Sequence, residues 1–243
     1  MHRVLARSLA ALSLASVPLL CQQPGPPSRQ VHVLQHPGSS LLLSQLRDRN
    51  SSQSVFMSYA NRLLRLLLEE TFALEPMTES TRLSPTGSEY CHKELVHGDN
   101  YCVVVILRSG VSMLSEVSAL MPHIKVGMVL VQRNEASPDK EPVYYYSKVP
   151  GDIGQRRVLL VDPMLATGGS AKTAIAALLA KGVSLDNIVF VCLIACPEGI
   201  QALLKDYPGL KIITGVIDPA MNSQKYIVPG LGDFGDRYFG TVH

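Results

Sequence analysis

The sequence predicts an α/β domain with a central, mostly parallel five-stranded sheet flanked by helices. Three observations carry this. Between Tyr101 and Asp218 the chain holds five short runs of apolar, often β-branched residues. Stretches of helical length and period separate most of them, so strand and helix alternate. The runs lack the polar alternation of a half-solvated strand, which marks strands buried on both faces of a parallel sheet.

Residues 1–30, "MHRVLARSLAALSLASVPLLCQQPGPPSRQ", stand apart from the domain of residues 31–243. They carry arginines, serines and an apolar stretch, and the first acid of the chain is Asp48. That pattern suits a transit or secretory leader, and a disordered extension suits it equally. Pro24, Pro26 and Pro27 end the segment on either reading. The expected location is cytoplasmic, or organellar if residues 1–30 act as a transit peptide.

The elements follow in order. In "LRDRNSSQSVFMSYANRLLRLLLEETF", Phe56, Ala60, Leu63 and Leu67 share one helical stripe, with Ser51 or Ser52 as N-cap. "TESTRLSPTGSEYCHKELVHGDN" is polar and turn-rich, with room for short strands. "YCVVVILRSG" reads as a buried strand and "VSMLSEVSALMP" as a helix. "KVGMVLVQR" is a second strand. The polar excursion "NEASPDKEPVYYYSKVPGDIGQ" reads as a projecting hairpin bearing Tyr144 to Tyr146. "RVLLVD" is a third strand, followed by the helix "SAKTAIAALLAKG" with Gly182 at C′. "NIVFVCLIA", "PEGIQALLKDYP" and "LKIITGVID" give strand, helix and strand.

Composition narrows the function. A hydrophobic fraction of 47%, a charged fraction of 17% and a net charge of +2 are ordinary. They argue for neither a nucleic-acid nor a membrane partner. The five cysteines form no C-x-x-C pair and read as free, mostly buried thiols of a reducing compartment. The histidines show no metal-ligand spacing, and no side chain is assigned to a metal.

Ligands of a parallel sheet bind beyond the carboxyl ends of its strands. The unusual residues cluster there: Arg108-Ser109-Gly110, Arg133-Asn134-Glu135, Asp162 through Ser170, and Asp218. "DPMLATGGS" places a glycine turn between a strand and a helix, a geometry that points N–H groups at an anion. It is not a Walker A loop, because positions 166 and 171 are alanine. It is not a dinucleotide turn, because positions 170 and 173 are Ser and Thr. The Thr167 and Ser170 hydroxyls suit a phosphate monoester, and Asp162 suits ribose hydroxyls. The plainer reading is a capped, tight turn. "YIVPGLGDFGDRYFG" near the end has no useful period, yet its interleaved aromatics set it apart from a disordered tail.

The acid, short loop and Thr-Gly resemble the phosphoribosyl-diphosphate loop of the type I phosphoribosyltransferases. Most members carry two adjacent acids there. The form Asp162-Pro163 resembles the uracil phosphoribosyltransferase family, whose uracil-binding loop "YIVPGLGDFGDR" also resembles. The resemblance runs from about Val31 to the end, through "LRDRNSSQSVF", "ILRSG" and "QRNE". It implies the type I fold, with a projecting β-hairpin and a C-terminal base-binding hood. It implies synthesis of UMP and diphosphate from uracil and phosphoribosyl diphosphate, with Mg²⁺ held mainly through the substrate's diphosphate. It assigns phosphoribosyl diphosphate to Arg108, Arg133, Asp162, Pro163, Met164, Leu165, Ala166, Thr167, Gly168, Gly169, Ser170 and Asp233. Uracil goes to Tyr226, Ile227, Gly232, Asp233 and Phe234, and Asp162 and Asp233 are the catalytic pair.

Two positions depart from the family. Ser109 stands where members usually have Ala, and Asn134 where they usually have Asp. Some members are homodimers and others GTP-activated homotetramers, so GTP is a further expected ligand. Arg62, Lys125 and Arg156 resemble parts of that effector site, and each also reads simply as a solvated surface charge. The alternatives are a non-catalytic regulator that binds UMP or RNA, and a related enzyme using another base.

Overall fold

The computed structural model describes residues 30–133 and 142–241. The leader reading of residues 1–30 falls, all but Gln30, outside the described residues, as do Asn134 and Glu135. The chain opens with strand β1 (Val31–Val33) and helix α1 (Ser39–Arg47). In helix α2 (Gln53–Ala73), Ser52 is the N-cap, its hydroxyl accepting from the Val55 N–H at 3.4 Å. The expected stripe of Phe56, Ala60, Leu63 and Leu67 is buried, joined by Leu64 and Leu68. Strands β2 (Met77–Leu83) and β3 (Glu89–Leu95) pair antiparallel as a separate two-stranded ribbon.

The alternating part comes next: β4 (Tyr101–Leu107), α3 (Val111–Leu120), β5 (Lys125–Arg133), β6 (Pro142–Lys148), β7 (Arg157–Val161), β8 (Met164–Leu165), α4 (Gly169–Leu179), β9 (Ile188–Ala195), α5 (Pro197–Asp206) and β10 (Lys211–Ile217). The chain ends with β11 (Ala220–Met221), β12 (Ile227–Val228) and α6 (Phe234–Phe239). The sheet order is β1-β10-β9-β7-β4-β5-β6, with β8 pairing β9. The five expected strands lie together at its centre and are mutually parallel.

The sheet has eight strands rather than five. β1 adds a parallel edge and β6 an antiparallel one. Three residues are too few for β1 to show a period, and β6, from the stretch read as a projecting hairpin, instead pairs with the second predicted strand, β5, as an edge of the main sheet.

Successive strand residues point to opposite faces, and helices cover both. Val103, Val105, Leu159 and Val161 pack with α2, α3 and α6. Val104, Ile106, Leu160 and Phe190 pack with α4 and α5. Gly182 closes α4 at φ +84°, with Gly182 N–H on Leu179 O and Val183 N–H on Leu178 O, the Schellman pattern expected of it. Cys91, Cys102, Cys192 and Cys196 are free, and burial pushes the Cys102 and Cys192 thiols up to about 12.

β4 has β5 on one side and β7 on the other, so the chain winds both ways from it. The carboxyl ends of β4 and β7 therefore frame a topological switch point, where such sheets hold ligands.

Candidate active site

Asp162 is the first residue beyond β7 and is buried. Its Oδ1 accepts from the Ser109 hydroxyl at 2.8 Å and from the Met164 N–H at 3.4 Å. The loop after it is tied by backbone to its neighbours. Pro163 O accepts from the N–H groups of Leu193 and Ile194 at 2.9 and 3.0 Å, and Leu165 O from Cys196 N–H at 3.1 Å. The first turn of α5 lies directly beneath: a Cβ on Gly199 would stand 2.4 Å from Ala166 O. Gly168 turns the chain at φ +79°, a left-handed conformation that favours glycine, and α4 begins at Gly169 with no side-chain cap on its N-cap residue. First-turn N–H groups have no partner inside a helix, so this end is suited to an anion.

Arg108 follows β4. It donates to Asp236 Oδ1 at 2.5 Å and Thr241 Oγ1 at 3.1 Å, and its guanidinium lies 5.8 Å from the Phe239 ring centre. It thus reaches the C-terminal segment, which is itself tied down by two more arginines. Arg47 forks onto the buried Asp218 at 2.8 and 2.5 Å and donates to Gly230 O at 2.7 Å. Asp218 also accepts from the Gly230 N–H at 2.8 Å. Arg237 donates to the carbonyls of Leu46, Leu231 and Asp48, with its guanidinium over the Phe56 ring. Asp233 caps α6, accepting from the Asp236 N–H at 2.9 Å. Phe234 is buried, edge-on to Phe56 at 5.3 Å and stacked on Tyr238 at 5.6 Å.

These elements enclose one cavity of about 610 Å³. Arg108, Asp162, Met164 through Ser170, Tyr226, Ile227, Gly232, Asp233 and Phe234 all line it. Two segments some sixty residues apart in sequence therefore meet as facing walls. The family model described as uracil phosphoribosyltransferase matches residues 33–241. The chain belongs to the uracil phosphoribosyltransferase family. A uracil phosphoribosyltransferase of Dictyostelium discoideum is 45% identical over 200 residues, covering 82% of this chain and 91% of that protein. The chloroplastic uridine/cytidine kinase UKL1 of Arabidopsis thaliana is 42% identical over 196 residues, 81% of this chain. There the chain spans only 39% of the relative's length. Among solved structures, the AQ2163 protein of Aquifex aeolicus is similar at a TM-score of 0.74 and 30% identity, over 86% of this chain and 97% of that one.

Several expected uracil phosphoribosyltransferase positions stand differently from the sequence reading. Pro163 is not among the lining residues, because its carbonyl is turned to β9. Phe234 lines the cavity as expected, while its ring packs into the core. Arg133 ends β5, and its side chain lies outside the described residues. The three basic residues that resemble parts of the family's effector site do not all lie together. Lys125 and Arg156 share Asp152, at 3.0 and 2.6 Å, and hold its carboxyl well below the usual range, Arg156 most strongly. Arg62 instead lines a separate groove of about 500 Å³ with His36, Arg65 and Glu116.

Sequence reasoning missed Gln132, Lys225 and Gly235 as lining residues, and Arg47, Arg237 and Asp236 as supports. Lys225, at φ +66°, carried no periodic or motif signal. Arg47 lay inside the quoted "LRDRNSSQSVF", which was its one available signal. Among the described residues no three His, Cys, Asp or Glu side chains converge on a metal.

Proposed function

We propose that this chain transfers the 5-phosphoribosyl group of phosphoribosyl diphosphate to uracil, forming UMP and diphosphate in pyrimidine salvage. One observation carries the reading: the phosphate loop and the base loop of the family face each other across a single cavity, with Arg108 reaching between them.

The bond from the ribose C1′ to the diphosphate oxygen breaks as that from C1′ to uracil N1 forms, and the N1 proton is lost. The leaving group is already good, so positioning and electrostatics do most of the work. The N–H groups around Gly168, Gly169 and Ser170, with the Thr167 and Ser170 hydroxyls, take the 5′-phosphate. Asp162 accepts from the ribose hydroxyls, and Asp233 lies near the ribosyl centre as positive charge develops. Arg108 and Arg133 neutralise the diphosphate. Because the Phe234 ring is buried, the base is read by main chain at Ile227, Gly232 and Phe234 and by the edge of Tyr226. Uracil offers two carbonyl acceptors around one N–H. Cytosine would set donor against donor there, at a cost of about 1–3 kcal/mol per unpaired group.

The donor set fits a Mg²⁺ that arrives on the diphosphate. Two carboxylates, Asp162 and Asp233, line the cavity, and Mg²⁺ binds through one or two carboxylates plus phosphates and water. When bound it would offset charge on the leaving diphosphate. A homo-oligomer is supported by two surfaces that are exposed among the described residues. β2 is exposed along its whole length, and Tyr144, Tyr145 and Tyr146 are exposed on the edge strand β6. A two-stranded ribbon has little stability of its own in water.

The test is formation of labelled UMP from radiolabelled uracil and phosphoribosyl diphosphate, with and without GTP. Wild type is expected to make UMP, and Asp162→Asn to lower kcat/KM by roughly a hundredfold. No UMP from the wild type overturns the reaction; Asp162→Asn within a few-fold of wild type overturns the role of Asp162.

A further inference from the structure

We propose that Ser109 is a positioning residue of this reaction: its hydroxyl fixes the Asp162 carboxylate against the ribose of the phosphoribosyl donor. The proposal rests on the role given to Asp162 above.

The backbone brings the two residues together. β4 and β7 are parallel neighbours with Val105 beside Val161, so both chains leave the sheet at the same edge. Gly110 then lets the turn after β4 fold onto the end of β7. A Cβ at position 110 would stand 2.6 Å from both Ile106 O and Val161 O, closer than side-chain carbons come to backbone oxygen. That approach brings Ser109 Oγ within 2.8 Å of Asp162 Oδ1.

Ser109 is itself held. Its carbonyl accepts from the Ser112 N–H at 3.1 Å and the Ser112 hydroxyl at 2.8 Å, where α3 begins. The hydroxyl therefore acts from a fixed origin. Hydroxyl-to-carboxylate bonds are charge-assisted and strong for their kind. The Met164 N–H reaches the same oxygen at 3.4 Å, a distance at which a hydrogen bond holds little. Ser109 is the closer of these two donors, and it sets the rotation of a carboxylate that must meet a pair of ribose hydroxyls.

The neighbouring side chain works in the other direction. Arg108 extends from the same turn to Asp236 and Thr241. One turn thus presents the diphosphate arginine and orients the ribose carboxylate.

Steady-state kinetics at saturating uracil test this on Ser109→Ala, Ser109→Thr, Asp162→Asn and the double variant Ser109→Ala/Asp162→Asn. Ser109→Ala should raise the KM for phosphoribosyl diphosphate about five- to tenfold and leave kcat within about twofold, since an interaction made equally in the ground and transition states moves KM alone. Ser109→Thr, which keeps the hydroxyl, should stay within about twofold of wild type. The double variant should be no worse than Asp162→Asn, because residues acting as one unit are not additive. Ser109→Ala kinetics equal to wild type, or additive losses in the double variant, would overturn the proposal. An impaired Asp162→Asn beside an unimpaired Ser109→Ala defeats Ser109 alone, whereas an unimpaired Asp162→Asn defeats the reading beneath it.

Discussion

The two walls of the cavity are held by different kinds of bond. Residues 162–170 are fastened by backbone to β9 and α5, through Pro163 O and Leu165 O, and seated on a glycine. The C-terminal wall is fastened by arginine side chains, of which Arg47, Arg108 and Arg237 come from three distant places in the chain. A wall made by backbone is insensitive to most side-chain changes and sensitive to any added bulk. A wall made by guanidinium groups has the opposite weakness, because each tie can be cut by one substitution.

The largest effect should come from cutting the deepest tie. Arg47→Met leaves the Asp218 carboxylate, 3% exposed, without its forked partner. Breaking a buried pair from one side costs about 3–5 kcal/mol. Urea denaturation should show that loss, and a loss under 1 kcal/mol would mean that backbone holds this wall too. Gly199→Ala attacks the other wall. Its Cβ would press on Ala166 O at 2.4 Å, and overpacking of this kind costs about 1–3 kcal/mol. The KM for phosphoribosyl diphosphate should rise about tenfold or more while that for uracil stays within about twofold, since only the phosphate wall is displaced. Equal rises in both would show that the walls are not independent. The smallest effect belongs to Asp236→Asn. Its partner Arg108 is half exposed, and exposed pairs contribute only about 0–1 kcal/mol. Thermal melting should barely move, and a more than tenfold change in the KM for uracil would show that this surface pair holds the wall after all.

The same contrast explains what was legible in the sequence. The central strands announced themselves because both faces of each are buried, so the apolar run is unbroken. The loop at residues 162–170 was legible as a turn between strand and helix because glycine and hydroxyl residues at a strand end have a local meaning. Helix α6 was not. It has six residues with Gly235 among them, and it exists because Asp233 caps it and Phe234 and Tyr238 pack against α2. Those causes are long-range, and no local period records them. For the same reason nothing local records that the Phe234 ring is a core residue while the residue itself lines the cavity. Arg47 and Asp218 are 171 positions apart, and Ser109 and Asp162 are 53 apart, so neither partnership has a spacing to read. β1 escaped notice through shortness alone, its three residues being recruited by β10.

The arginine ties also impose an order on biosynthesis. The contacts named for residues 162–170 are all encoded by Gly199, whereas the carboxylate that Arg47 grips and the guanidinium that grips Leu46 and Asp48 come at positions 218 and 237. On the ribosome, Arg47 emerges long before Asp218 and waits through most of translation for its partner. The nascent chain therefore passes through a stage at which one wall of the cavity has every contact named for it and the other does not, and the C-terminal wall is the last part of the cavity to be completed in sequence.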